Sequence, residues 1–401
     1  MAGTIHTLWT EYRRALLVST GLLALSACLH IWWQSSPMTL PEEIWRKILD
    51  AHLTYYPFVI RPFQTRATLL LHDLLGLPIR ESFYALQFTL TLLLGVLFYR
   101  ILRLLDFSKG WSLIGLAALM LSYPIMGAHF APTHTWDDFW CYLFLVLTFS
   151  AVLKERPVTA GVLLTLGCFA REQALVFYLP LTLWAWWSGK ELSRTRTLIM
   201  LAMPPLVYGV YRWIVFESFE LTRFSHLHYN FETALRINDT VVSAWIAFGV
   251  LWLTVLGGIS ILKARQAGAH SRLLFWGVVI TLPVTFLLTI STGMARETRI
   301  FFPPFLFVIP VSLYFLRDIY FRTRPYFTRV RAVMAALGVV VAVGLGYLTA
   351  LELFPHFDYG TNAVFRRQVA GLHIGLALSL TAGYMILRWR EWRAAGAISR
   401  K

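Results

Sequence analysis

Twelve apolar runs, separated by short charged segments, are the feature that most limits what this chain can fold into. Most of them are long enough to cross a hydrocarbon core of about 30 Å at 1.5 Å per residue. They lie at about residues 15–34, 82–102, 110–128, 139–153, 158–170, 173–187, 197–216, 241–262, 273–292, 300–316, 332–351 and 369–387. The sequence therefore predicts a single all-α, polytopic membrane domain over residues 1–401, with about twelve spans.

Composition and charge agree with this prediction. The chain is 57% hydrophobic and only 14% charged, which lies outside the range of soluble domains. Twelve spans place both termini on one side of the membrane. If that side is cytoplasmic, most of the 36 basic residues fall in inner segments and most of the 21 acidic residues in outer ones. The net charge of +15 is then an orientation signal, and no nucleic-acid partner is predicted.

The pattern is typical of a multi-pass protein of a bacterial inner membrane, with both termini cytoplasmic and membrane lipids as its partners. The three cysteines all fall inside apolar runs, so no disulfide framework is predicted.

The first outer loop, residues 35–81, is too polar to sit in lipid and too long for a simple connection. Pro41 followed by Glu42 and Glu43 is typical of a first helical turn, where negative charge is favoured by the helix dipole. The apolar side of this helix consists of Ile44, Trp45, Ile48 and Leu49. The spacing predicts an amphipathic helix on the membrane surface, and a second one is predicted over residues 64–75.

The fifth and sixth runs, counted as 158–169 and 174–187, cover only about 18–21 Å each at helical rise. Neither crosses the membrane alone, and Arg171 and Glu172 occupy the tip between them. Charged residues at membrane depth are tolerated where protein buries them or where they line a wet cavity. We expect a cavity open to the outer face, flanked by residues 296–299. The alternative is an ion pair between Arg171 and Glu172 that merely closes the tip.

Two further charged motifs adjoin apolar runs. Asp137 and Asp138 follow His129 and His134, a set that suits a divalent metal or the activation of a hydroxyl group. The alternative is that the aspartates cap the helix beginning at Phe139.

The second motif, Arg296-Glu297-Thr298-Arg299, offers two guanidinium groups that suit a phosphate or pyrophosphate. The alternative here is snorkelling of the arginines toward lipid headgroups, with an internal ion pair.

Taken in order, these features resemble bacterial members of the GT-C superfamily of membrane glycosyltransferases. The residues that carry the resemblance are Tyr56-Pro57-Phe58-Val59-Ile60-Arg61-Pro62, Gly76-Leu77-Pro78, Trp136-Asp137-Asp138, Arg171-Glu172 and Arg296-Glu297-Thr298-Arg299. The resemblance implies transfer of a hexosyl or pentosyl group from a polyprenyl-phosphate donor to a glycan, lipid or protein acceptor. The reaction would take place at the outer, periplasmic or lumenal, face.

The resemblance also implies that a carboxylate of the first outer loop is the catalytic base. This chain lacks an aspartate directly after the first span, so the base is sought among Glu42, Glu43 and Asp50. Asp50 is preferred, because it ends the amphipathic helix and precedes Tyr55 and Tyr56, which would stack on a sugar.

The candidate catalytic residues are Asp50, Glu43, Asp137 and Asp138. The candidate substrate-binding residues are Tyr56, Arg61, His134, Arg171, Glu172, Arg296, Glu297 and Arg299. The lipid-linked sugar is predicted as the donor substrate, and no cofactor is predicted with certainty. A requirement for a divalent metal ion is left open.

Two other functions remain open at this point. A transporter or flippase of lipid-linked or polar solutes fits twelve spans, although ionisable residues are almost absent from the middle of the apolar runs. A non-catalytic scaffold of a glycan assembly complex would keep the same architecture, because a fold does not determine a function.

Overall fold

The computed structural model describes residues 2–33, 40–54, 61–128, 136–188, 194–215, 225–264, 268–292, 298–326, 329–353 and 363–398. Within these segments the chain forms helices and no strands. The α-helices are α1 (Ala2–Trp33), α2 (Glu42–Thr54), α3 (Pro62–Leu75), α4 (Ile79–Leu104), α5 (Lys109–Met120), α6 (Tyr123–Gly127), α7 (Asp138–Leu153), α8 (Pro157–Ala170), α9 (Tyr178–Ser188), α10 (Arg194–Val215), α11 (Ser225–Phe231), α12 (Ala234–Phe248), α13 (Leu251–Ala264), α14 (Ala269–Thr292), α15 (Phe305–Thr323), α16 (Arg329–Leu353) and α17 (Ala363–Ile398). Three 3₁₀ turns, Glu172–Phe177, Thr298–Phe301 and Arg324–Tyr326, complete the described elements. The all-α prediction is confirmed for these residues.

Five described helices are long and apolar enough to cross a membrane. They contain the segments Ile79–Leu104, Arg194–Val215, Ala269–Ser291, Val333–Glu352 and Gln368–Trp392. A sixth span results if α12 and α13 form one bent unit. The chain is thus a multi-pass helical membrane protein by length and composition, while the count of twelve spans stays a prediction.

Two of the apolar runs are broken helices. Run 110–128 divides into α5 and α6 at Leu121–Ser122, ahead of Pro124, which favours a helix start and disfavours a helix interior. Run 241–262 divides at Gly249, and the helix pair is bent by 58° there. Gly249 has φ +51°, and a β-carbon at this position would overlap the ring of His373. Only glycine fits both constraints, which explains the position of the bend.

The apolar run 300–316 lies largely in helix α15, which is not one of the five candidate spans. Its first half, Phe305 to Leu313, is buried on every side by neighbouring helices. Its second half carries Arg317, Asp318 and Arg322. Gly257 and Gly258 of α13 let this core helix approach closely, since a β-carbon at Gly258 would overlap the backbone of Val311. The run is apolar because it forms the centre of the protein.

The two predicted helices of the first outer loop are confirmed as α2 and α3. The apolar side of α2 is buried against protein, which corrects the expectation that it rests on the membrane surface. Trp45, Ile48 and Leu49 pack against Phe83 at the start of α4 and against Trp136, whereas Ile44 is exposed. Glu42 accepts hydrogen bonds from the backbone N–H groups of Ile79 and Arg80, at 2.8 and 3.4 Å. These bonds fix α2 at the N-terminus of α4.

Helices α16 and α17 form an antiparallel pair that is in close contact at one end. A β-carbon at Gly346 would overlap Gly371, and one at Gly375 would overlap the backbone of Val343. By contrast, a β-carbon at Gly338 or Gly344 meets no atom within 4 Å. Of these three glycines of α16, only Gly346 lies at a close contact between the helices.

We expect Gly375→Ala to destabilise the protein by about 1–3 kcal/mol, because the new methyl group forces two backbones apart. The matched control Gly344→Ala should leave stability unchanged or raise it slightly, since alanine is the better helix former. Thermal unfolding of both variants in the same detergent checks this. Equal melting temperatures would show that α16 and α17 do not depend on this contact.

Candidate functional site

Six charged side chains from four distant parts of the chain converge at one place. The segments are the start of α3, the start of α7, the break between α8 and the following 3₁₀ turn, and the 3₁₀ turn before α15. The residues are Arg61, Asp137, Asp138, Arg171, Glu172 and Arg299, here called the charge cluster. All except Glu172 have less than a tenth of their surface exposed.

Arg61 and Glu172 form the first pair of the cluster. The guanidinium group donates from Nε to Oε2 at 3.2 Å and from the terminal nitrogen to Oε1 at 2.9 Å. This two-bond geometry is the strongest that arginine makes with a carboxylate. Burial would raise the pKa of Glu172, but the charge and hydrogen bonds of Arg61 outweigh it and lower that pKa to about 2. Glu172 is therefore ionised at neutral pH.

Asp138 is shared by two arginines. Its Oδ2 accepts a hydrogen bond from Arg299 at 2.7 Å, and its Oδ1 forms an ion pair with Arg171. Arg171 and Glu172 thus pair with different partners on other helices. The alternative, an ion pair between Arg171 and Glu172 that merely closes the hairpin tip, does not account for these partners. The residue 299 segment lies beside Arg171, as predicted, since both bind Asp138.

Asp137 occupies the position before α7, yet its side chain makes no capping bond to that helix. The backbone N–H of Gln64, in the first turn of α3, lies near the carboxylate and favours its ionised form. Its Oδ1 has no hydrogen-bond partner among the described residues. Burial raises the pKa of Asp137 to about 7, although the nearby Arg61 and Arg171 act in the opposite direction. A carboxylate of this kind exchanges protons near neutral pH.

Trp136 anchors the segment that carries the two aspartates. Its ring stacks on Phe83 at 4.5 Å and on His52 at 4.6 Å between centroids. Its Nε1 donates to the hydroxyl group of Thr65 at 2.9 Å. Helices α2, α3 and α4 therefore hold Trp136 from three sides, and this fixes the position of the cluster.

The other side of the cluster is aromatic. The hydroxyl group of Tyr142 donates to the carbonyl oxygen of Arg299 at 2.8 Å, and its ring stacks on Phe302 at 3.7 Å between centroids. Phe302 in turn stacks on Phe305. Phe305 lines an apolar cavity of about 500 Å³ whose other walls come mainly from α5, α6, α12 and α17. Tyr142, Phe302 and Phe305 therefore form an aromatic layer between the charge cluster and a space suited to a hydrocarbon chain.

Arg61 is the candidate of the first outer loop that lies in the cluster, whereas the carboxylates of that loop lie elsewhere. Asp50 and Glu43 are exposed on α2, and neither side chain bonds to a residue that the structure describes. The carboxylate of Glu42 accepts a hydrogen bond from the backbone at the start of α4. Tyr56, His134, Arg296 and Glu297, together with His129, lie outside the described residues.

Sequence reasoning missed four residues that shape the site: Thr65, Gln64, His52 and Tyr142. None of them stands in a charged motif, and their roles depend on partners far along the chain. The one sequence signal for a site in this region was that each charged motif directly adjoins an apolar run.

Among the described residues, no group of three histidine, cysteine or carboxylate side chains is placed to hold a metal ion. Within the cluster the oxygens of Asp138 are taken by guanidinium groups. The site as described is one of ion pairs.

No family model, curated protein or solved structure matches the chain. The chemistry of the site is therefore inferred from its own residues.

We expect Asp138→Asn to lower the free energy of unfolding by about 3 kcal/mol or more, because two buried guanidinium groups lose their common counter-charge. The control is Glu232→Gln, which removes an exposed pair with Arg236 and should cost at most about 1 kcal/mol. Thermal unfolding in detergent measures both. Similar melting temperatures for the two variants would contradict the buried network.

Proposed function

We propose that this protein is a membrane glycosyltransferase that moves a sugar from a polyprenyl-phosphate donor to a hydroxyl group of an acceptor. The observation that carries the proposal is the burial of three guanidinium groups in one cluster with Asp137, whose Oδ1 has no hydrogen-bond partner among the described residues. Such a site holds the two groups that glycosyl transfer from a lipid phosphate requires, which are a base for the acceptor and cations for the departing phosphate.

In the proposed reaction, Asp137 takes the proton of the acceptor hydroxyl group while the acceptor oxygen bonds to the anomeric carbon of the sugar. The bond from that carbon to the phosphate oxygen breaks, and polyprenyl phosphate leaves with the electron pair. Arg61, Arg171 and Arg299 stabilise the charge that develops on it. A guanidinium group has five N–H donors, so one carboxylate partner does not exhaust it.

The apolar cavity beside Phe305 supports a lipid-linked donor in particular. It adjoins the aromatic side of the cluster, so a prenyl chain there would place its phosphate toward the arginines. The GT-C resemblance of the sequence supports the same reaction. In the proposal the twelve-span topology puts the site at the outer face of a bacterial inner membrane, and the acceptor is a glycan, lipid or protein.

The proposal moves the base from Asp50 to Asp137. We expect Asp137→Asn to lower turnover at least about 100-fold, because the general base is lost. The exposed Asp73 supplies the matched control, and Asp73→Asn should match the wild type. The assay follows release of polyprenyl phosphate by the protein in liposomes, from synthetic polyprenyl-phosphate hexose and pentose donors with a mixed glycan and glycolipid acceptor pool. Loss of turnover in Asp50→Asn with retention in Asp137→Asn would return the base to the outer loop.

The pH dependence gives an independent check. A base works only when it is deprotonated, and the pKa of Asp137 is raised to about 7. We therefore expect kcat/KM to be low in acid, to rise with pH through about 7 and to level off above it. A rate that is constant from about pH 5.5 to 8.5, or that falls with pH, would exclude this role for Asp137.

A carrier of lipid-linked solutes is the second candidate, favoured by the bent pair α12 and α13. Interrupted helices frame the binding sites of many transporters. Liposomes with a fluorescent polyprenyl-phosphate sugar and no acceptor distinguish the two functions. Movement of the label between leaflets without release of polyprenyl phosphate supports the carrier, and release only when an acceptor is present supports the transferase.

A further inference from the structure

The pair formed by α16 and α17 opens into a wedge. The helices are in contact where Gly346 meets Gly371 and Gly375. Further along, Gly338 of α16 and Gly383 of α17 have no atom within 4 Å of the position of a β-carbon. The same two helices are therefore closed at one end and apart at the other.

The open end of the wedge encloses about 700 Å³. This volume lies within the range of about 300–1,000 Å³ that is typical of ligand sites. Its walls are largely apolar and include Met334 and Leu345 of α16 and Leu378 and Ile386 of α17. The hydroxyl group of Ser379 also lines it but donates to the carbonyl of its own helix, at 2.9 Å. The walls thus suit a hydrocarbon chain.

One end of the wedge is cationic, and Arg390 lines it together with Thr323. The neighbouring Glu391 accepts from both Arg322 and Arg388, each at 3.2 Å. The exposed arginines near this end are Arg322, Arg324, Arg388 and Arg390, against the carboxylates Asp318 and Glu391. Positive charge therefore predominates at this end.

We propose that the wedge binds an anionic phospholipid of the surrounding bilayer, with one acyl chain between α16 and α17 and the phosphate at Arg390. The walls belong to the candidate spans Val333–Glu352 and Gln368–Trp392, so the surrounding solvent is hydrocarbon. A phospholipid joins an apolar chain to an anionic phosphate in the order that the wedge presents. Basic pockets between membrane helices bind such headgroups. This site is separate from the charge cluster and independent of the proposed function.

Native mass spectrometry of the full chain in detergent tests the proposal, with phosphatidylglycerol and phosphatidylcholine of identical acyl chains as probes. The wild type should retain phosphatidylglycerol more tightly. Arg390→Gln should weaken phosphatidylglycerol about fivefold and leave phosphatidylcholine unchanged, since one arginine near a headgroup contributes about 1 kcal/mol. Gly338→Leu combined with Gly383→Leu fills the wedge and should remove the lipid adduct.

Two variants serve as controls. Arg14→Gln removes an exposed arginine of α1, and Gly209→Leu adds a side chain in open space on α10. Both should bind phosphatidylglycerol like the wild type. Equal binding of the two lipids by the wild type overturns the proposal. A lipid adduct that persists in the variant with both leucines also overturns it. So does a wild-type dimer that is lost in this variant, because a second copy of the chain would then occupy the wedge. If the filled variant does not fold, Arg390→Gln still decides, because unchanged phosphatidylglycerol affinity would refute the headgroup contact.

Discussion

The ion pairs that Asp138 makes with Arg171 and Arg299 connect three helix ends in the interior of this protein. Arg299 and Asp138 are 161 residues apart in sequence, and the contact joins the turn before the core helix α15 to the start of α7. The second pair, between Arg61 and Glu172, adds the start of α3. Each segment is the end or the interruption of a helix. The helices are therefore positioned by charges at their ends as well as by apolar packing along their sides.

Such a network is costly to bury. Removing charges from water costs several kcal/mol per ion, and mutual attraction often only balances that cost, so a buried ion pair is weak evidence of a stabilising role. Asp137 adds to the cost, because its Oδ1 has no hydrogen-bond partner among the described residues. Groups of this kind persist most often where they serve binding or catalysis. The glycosyl transfer that we propose would give the buried charges such a role.

The sequence predicted the individual helices better than the side-chain contacts between them. Helices α2 and α3 followed from amphipathic spacing and a proline start, and the short hairpin followed from counting residues against membrane thickness. The motifs at 137–138, 171–172 and 299 stood out because charge adjoins an apolar run. The partners did not follow, because the Arg61 and Glu172 pair spans 111 residues and depends on how whole helices pack. The burial of the apolar side of α2 against Trp136 was missed for the same reason, since periodicity cannot distinguish lipid from protein as the covering surface.

Whether the charge cluster receives a lipid phosphate can be determined from a cryo-electron microscopy structure with bound polyprenyl phosphate. We expect density for the phosphate within hydrogen-bonding distance of at least two guanidinium groups of the cluster. We also expect the prenyl chain to enter the cavity beside Phe305. A phosphate bound elsewhere, with the pairs of Asp138 and Glu172 unchanged and Asp137 out of reach of the lipid, would contradict the proposed function.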